Sequence, residues 1–275
     1  MLDIFFSAPG TAEPCGLFTV PHIIGLIICA ILIGVALFFS RNLSKKAIRI
    51  ITLVMAIVFT VMEIIKITYK FINGDTVQLD HWFPLAFCSL FIYVLWMCAL
   101  GKGIVYKLGC AFMCGGCFVG GLAFLIMPLT SLQSHPIYHF LSIHSMLFHS
   151  CMIYMSFMYI VNREFNLLDL KNFKYYALIV GPTCAISAII NVVTYLIPNV
   201  ATANIMLLRH LPLPATFPIQ WVYDLVGQLE FPFNLYTVCA SLVYTTVPYF
   251  VNYGIVRLVK LINVKRSVKK TKATN

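Results

Sequence analysis

A thiol, a proline and an imidazole fall close together in residues 81–90, His-Trp-Phe-Pro-Leu-Ala-Phe-Cys-Ser-Leu, at the mouth of an apolar segment. The chemistry open to Cys88 is nucleophilic: a thiolate attacks an acyl carbon, holds the chain as a thioester and passes it on. In apolar surroundings a thiol reaches that state only with a base beside it, so a histidine partner is required. His144 and His149 both lie in one later apolar segment. Glu63, Lys66 and Asn191 also sit inside apolar runs, and polar groups in such places are costly enough that each is a candidate functional group. Glu63 and Lys66 are three residues apart, so an ion pair that neutralises both is the plain structural alternative.

These residues must be positioned by a membrane-embedded scaffold. Of the 275 residues 61% are apolar and only 10% charged, with a mean hydropathy of +0.92. Soluble domains are about 45–50% apolar and about 25% charged. Runs long enough to cross a bilayer, roughly 20 residues each, use up most of the chain. They are expected at 18–39, 47–69, 83–100, 104–127, 138–161, 175–197 and 231–256. Sixteen Lys and Arg fall on one side of this arrangement against Lys70 and Arg209 on the other, and the positive-inside rule then sets the orientation. The expectation is an all-α membrane protein, a seven-transmembrane-helix bundle with an outer N-terminus and a cytoplasmic C-terminus. Residues 1–17 form an external segment that shows no cleavage-site pattern and is retained. Residues 18–256 form the bundle, and 257–275 are a basic cytoplasmic tail. Residues 198–230 carry Pro212, Pro214 and Pro218 with an amphipathic piece at 219–229, which suits a lid on the outer surface.

At 1.5 Å per helical residue, Cys88 lies about 8 Å below the outer end of its span, and Glu63, His144 and Asn191 lie about 9 Å below theirs. His149 is deeper, at about 16 Å. Four polar groups on four helices therefore share a layer, the way a bundle builds a site from facing side chains. His139, His144 and His149 are spaced by five, so adjacent rings diverge by about 140° and cannot all face one bundle centre. Ser142, Ser145 and His149 share a face through their i, i+3 and i+7 spacing, which turns His149 inward. Depth therefore pairs Cys88 with His144, while the serine stripe favours His149. Cys110, Cys114 and Cys117, with Gly115, Gly116, Gly120 and Gly121, read as tight packing through small residues, with no metal implied. Pro182 and Pro248 fall mid-span and are expected to mark kinks whose freed backbone groups neighbours must satisfy.

The residues around Cys88, Glu63 in the preceding helix, the Phe-His-Ser-Cys-Met-Ile-Tyr run at His149, the segment from Asn191 to Tyr195, and the stretch from Trp221 to Pro232 with Asp224 and Gly227 resemble the YwaF family of bacterial integral membrane proteins. That family is similar to a eukaryotic transmembrane acyltransferase that moves polyunsaturated acyl chains onto ether phospholipids with a Cys nucleophile and a His. The resemblance implies lipid acyl transfer or hydrolysis, with Cys88 and His149 catalytic, and it implies a place in a bacterial cytoplasmic membrane.

The first functional expectation is thus an integral-membrane acyltransferase or acyl hydrolase. Cys88 is the nucleophile, His149 the base, and Glu63, His144, Asn191 and Asp224 line the substrate site. Asn191 or a freed backbone amide near Pro84 would supply the oxyanion donor. The alternative is a non-enzymatic transporter or ligand-binding membrane protein that uses the Glu63, Lys66, His144 and Asn191 layer. Membrane lipids are the expected partners. No cofactor, metal or soluble partner is implied, and the net charge of +10 is concentrated in the tail without interleaved aromatics, which excludes a nucleic-acid surface.

Overall fold

In the computed structural model, residues 5–8, 11–73, 84–128, 131–197, 203–209 and 235–274 are described, with side chains of the last helix as far as Asn263. All regular structure among the described residues is helical. The helices are α1 (Val20–Ser40), α2 (Lys45–Ile72), α3 (Leu90–Leu100), α4 (Gly103–Gly115), α5 (Cys117–Ile126), α6 (Phe140–Val161), α7 (Phe173–Leu196) and α8 (Leu235–Thr274).

Five segments are long and apolar enough to cross a membrane: α1, α2, the run Gly103–Ile126 made by α4 and α5, α6, and Leu170–Leu196 containing α7. The two remaining expected spans depart from the sequence reading for separate reasons. α3 begins only at Leu90, because the chain from Ala86 to Ser89 is occupied by tight turns, with Leu90 N–H donating to Ala86 O and Phe91 N–H to Cys88 O. Eleven residues rise about 16 Å, half of the roughly 30 Å hydrocarbon core. α8 is helical past residue 256 as far as Thr274, so the basic tail continues the last helix.

α6 packs against α1, α2, α4 and α5; α3 lies between α2 and α4, and α7 and α8 close the other side against α4. Being surrounded, α6 has sixteen buried residues out of 22, whereas α1 buries only His22, Cys29 and Ser40 and turns its isoleucines outward. His139, His144 and His149 are all buried, and their rings diverge as expected: His139 meets Ser7 O, His144 stands beside Glu63 and His149 lies on Phe124.

The small residues act at contacts, as expected. A Cβ on Gly121 would lie 2.6 Å from His149 O, and one on Gly115 would lie 2.6 Å from the Tyr249 ring. Cys110, Cys114 and Cys117 are fully buried, and no cluster of metal-ligating side chains occurs among the described residues. Pro248 removes the N–H that would have bonded Tyr244 O, and Tyr176 OH donates to that carbonyl instead, at 2.8 Å.

Candidate functional site

The helix ends at Ser40, Leu43, Gly101 and Asn162 are tied together, which gives a common origin for height. Asn162, after α6, accepts from Leu43 N–H and donates to Ser40 O. Tyr106 of α4 donates to Glu164 at 2.6 Å, and Arg49 of α2 donates to Gly101 O at 3.3 Å. Counted from there, Cys88 and His149 are each twelve residues from Leu100 and Val161, the ends of α3 and α6, about 18 Å at helical rise. His144 stands about 26 Å up by the same measure. By residue count Cys88 thus falls nearer the height of His149 than of His144. The sequence-based depth took residues 83–89 as helix, and turns replace helix over 86–89.

Cys88 is half-buried, and its Sγ lies 3.8 Å from Gly120 O. Its position is set by Phe87, whose ring stacks on Tyr244 at 5.3 Å, meets Phe112 at 5.2 Å, and lies over Gly120, where a Cβ would come within 2.9 Å of it. The next residue, Gly121, rests on the His149 backbone. The two glycines of α5 thus form the shelf between thiol and histidine.

His149 Nδ1 lies 2.7 Å from Ser145 O. A carbonyl only accepts, so Nδ1 carries the proton and Nε2 is the bare, basic nitrogen of the neutral ring. The ring is clamped against Phe124, centroids 3.8 Å apart and planes 5° from parallel. Nε2 is buried without a hydrogen-bond partner, and so are His144 Nε2 and the hydroxyls of Ser142, Ser150 and Ser156 on the same helix. Buried polar atoms are ordinarily satisfied, so this group of orphans on one helix calls for an explanation. Cys88 and His149 make no direct hydrogen bond.

Glu63 of α2 is buried and pairs with Lys66 at 2.6 Å, with His144 Nε2 4.0 Å from its other oxygen. The plain alternative of an ion pair is thus present, and His144 joins it. Asn191 has a different job from the one expected: both ends of its amide are used on backbone, accepting from Ile205 N–H at 2.8 Å and donating to Ile205 O at 3.2 Å. With Thr194, which accepts from Ala203 N–H, it anchors the segment 203–209, whose buried Met206 holds a φ of +57°. Asp224, the 219–229 piece and His81 lie outside the described residues.

Sequence reading missed a histidine latch at the opposite end of the bundle from Asn162. His139 accepts Leu141 N–H at Nδ1, so Nε2–H donates to Ser7 O at 3.1 Å, and Tyr69 OH donates to the same carbonyl. His135 stacks on His139 at 4.0 Å. Burial, then His139 and Lys70 nearby, brings His135 down from the usual 6.5 to about 4, leaving it neutral at ordinary pH. Only tertiary contacts reveal that residue 7 returns to this place.

Compared with known proteins, residues 17–251 match the family model described as TMEM164 family. The chain belongs to the TMEM164 family. The family match carries this name where the sequence resemblance was to YwaF proteins, and the matched region contains every candidate residue named above. No curated protein and no solved structure matches the chain. As a TMEM164 family member with several apolar helices long enough to cross a bilayer, it is a multi-pass membrane protein.

Proposed function

We propose that this TMEM164 family protein is a lipid acyltransferase or acyl hydrolase in which Cys88 takes the acyl chain and His149 moves the protons. The observation that carries the reading is His149 itself: its tautomer is set by Ser145 O, and its bare Nε2 is buried and unpartnered. The resemblance to a transmembrane ether-phospholipid acyltransferase supports the same pair. Seven crossings, with the N-terminus outside and the basic end in the cytoplasm, would put the thiol in the outer half of the bilayer, within reach of an ester below the headgroups.

The step balances simply. The Cys88 S–H proton passes to His149 Nε2, sulfur bonds to the ester carbon, and the C–O bond to glycerol breaks. The departing alkoxide takes the proton and leaves as a lysophospholipid. A second lysophospholipid hydroxyl, or water, then attacks the thioester as His149 removes its proton, and that proton returns to the thiolate. Glu63, Lys66 and His144, nearer the outer surface on that orientation, suit a zwitterionic headgroup. Asn191 is assigned to holding segment 203–209 in place.

The test is capture of the thioester. Full-length protein in liposomes with a fluorescent acyl phospholipid should become labelled, the label should be released by neutral hydroxylamine, and Cys88→Ala should carry none. Equal labelling of Cys88→Ala overturns the reading. The buried Glu63–Lys66 pair with His144 beside it also favours a second reading, a polar-solute or proton path. On that reading Glu63→Gln removes function and Cys88→Ala leaves it intact, the reverse of what acyl transfer requires.

A further inference from the structure

We propose that a groove between the basic ends of α6 and α8 binds the headgroup of an anionic glycerophospholipid from the leaflet on that side. The groove is a shallow depression open to its surroundings, with a volume of about 440 Å³. Arg163 and Lys260 supply its charge, and Ile160, Val161, Val256 and Val259 supply aliphatic walls.

Its depth suits a headgroup. Taken as the seventh crossing, α8 rises about 32 Å from Leu235 to Val256, close to the roughly 30 Å hydrocarbon core. On that reading Val256 and Val259 stand at the boundary, and Lys260 just beyond it. Arg163 is held in place by the end of α6: its φ is +58°, its N–H donates to Ile160 O, and Glu164 N–H donates to Tyr159 O. The adjacent carboxylate of Glu164 is engaged by Tyr106 on the other flank. Neither Arg163 nor Lys260 has an ion pair among the described residues. Two uncompensated cations above an aliphatic floor complement a phosphodiester carrying acyl chains. A free anion would use the cations and leave the floor without purpose, so the geometry points to the lipid. Lys265, Arg266, Lys269, Lys270 and Lys272 follow on α8, and such a run concentrates anionic lipid at the surface. The proposal is independent of the acyl-transfer chemistry.

The experiment is thermal unfolding of the full-length protein in an uncharged detergent with added phosphatidylglycerol, phosphatidylcholine or inorganic phosphate. Phosphatidylglycerol should raise the midpoint, and the other two should not. Arg163→Asn with Lys260→Gln should weaken the apparent affinity about tenfold or more; asparagine tolerates the positive φ, so the turn is kept. Val259→Trp fills the groove with both charges intact and should weaken binding as well. Arg41→Gln with Lys45→Gln removes two cations at the same end, outside the groove, and should leave the response unchanged. The proposal is overturned if phosphate or phosphatidylcholine stabilises equally. It is also overturned if both groove variants respond like the unsubstituted protein, or if the Arg41 and Lys45 variant loses as much.

Discussion

Substituting His149 with Asn is expected to keep the fold and slow acylation of Cys88 by about 10²- to 10⁴-fold, the usual contribution of a positioned general base. Asparagine is the informative replacement because its Nδ2 can still donate to Ser145 O, as His149 Nδ1 does. Only the nitrogen that accepts the proton disappears. His144→Asn serves as the comparison, since that ring stands beside Glu63. The measurement is the rate of hydroxylamine-sensitive labelling with a fluorescent acyl phospholipid. If His144→Asn is the slow variant and His149→Asn keeps the full rate, the assignment of the base is wrong.

Gly121→Ala should destabilise the protein by about 1–3 kcal/mol, the range for overpacking a filled contact. Alanine favours a helix over glycine by about 1 kcal/mol, so an unconstrained site would show the opposite sign. At Gly121 the added carbon meets His149 O at 2.6 Å, Ile153 Cγ1 at 2.9 Å and Met152 Cβ at 3.2 Å. The nearest of these is backbone and cannot swing aside, so α5 and α6 must separate. That separation also moves Gly120 O, on which Cys88 rests, and acylation should fall together with stability. Gly181→Ala, where nothing lies within 4 Å of the new carbon, should be neutral or stabilising. Denaturant-induced unfolding in detergent micelles measures both. An equal response of the two variants would remove the glycine shelf as the element that positions the site.

Much of the scaffold is visible in the chain itself because lipid imposes a simple rule: backbone must be satisfied within each segment, so apolar runs are helices. Residues 20–40, 45–72 and 140–161 needed nothing more than that rule. It failed at 86–89, where apolar composition is maintained while the backbone turns, and hydropathy does not distinguish the two. The stripe of Ser142, Ser145 and His149 was readable from helical period. The burial of His139 and His144 was not, because period says which residues share a face and says nothing of how many neighbours a helix has. Asn191 shows the same limit: its depth was legible, yet its partner is backbone at Ile205, contributed by a segment with no pattern of its own.

Composition and charge, acting through the cost of placing polar groups in hydrocarbon, were enough to make this chain a helical membrane protein and to single out Cys88, Glu63 and the histidines. Tertiary structure alone decided that Cys88 rests on Gly120 and the His149 backbone on Gly121, that Glu63 is committed to Lys66 with His144 alongside, and that Asn191 is spent on segment 203–209. The physical reason is that periodicity acts within one helix, whereas the relative height and rotation of two helices are set by what packs between them, here the paired glycines of α5.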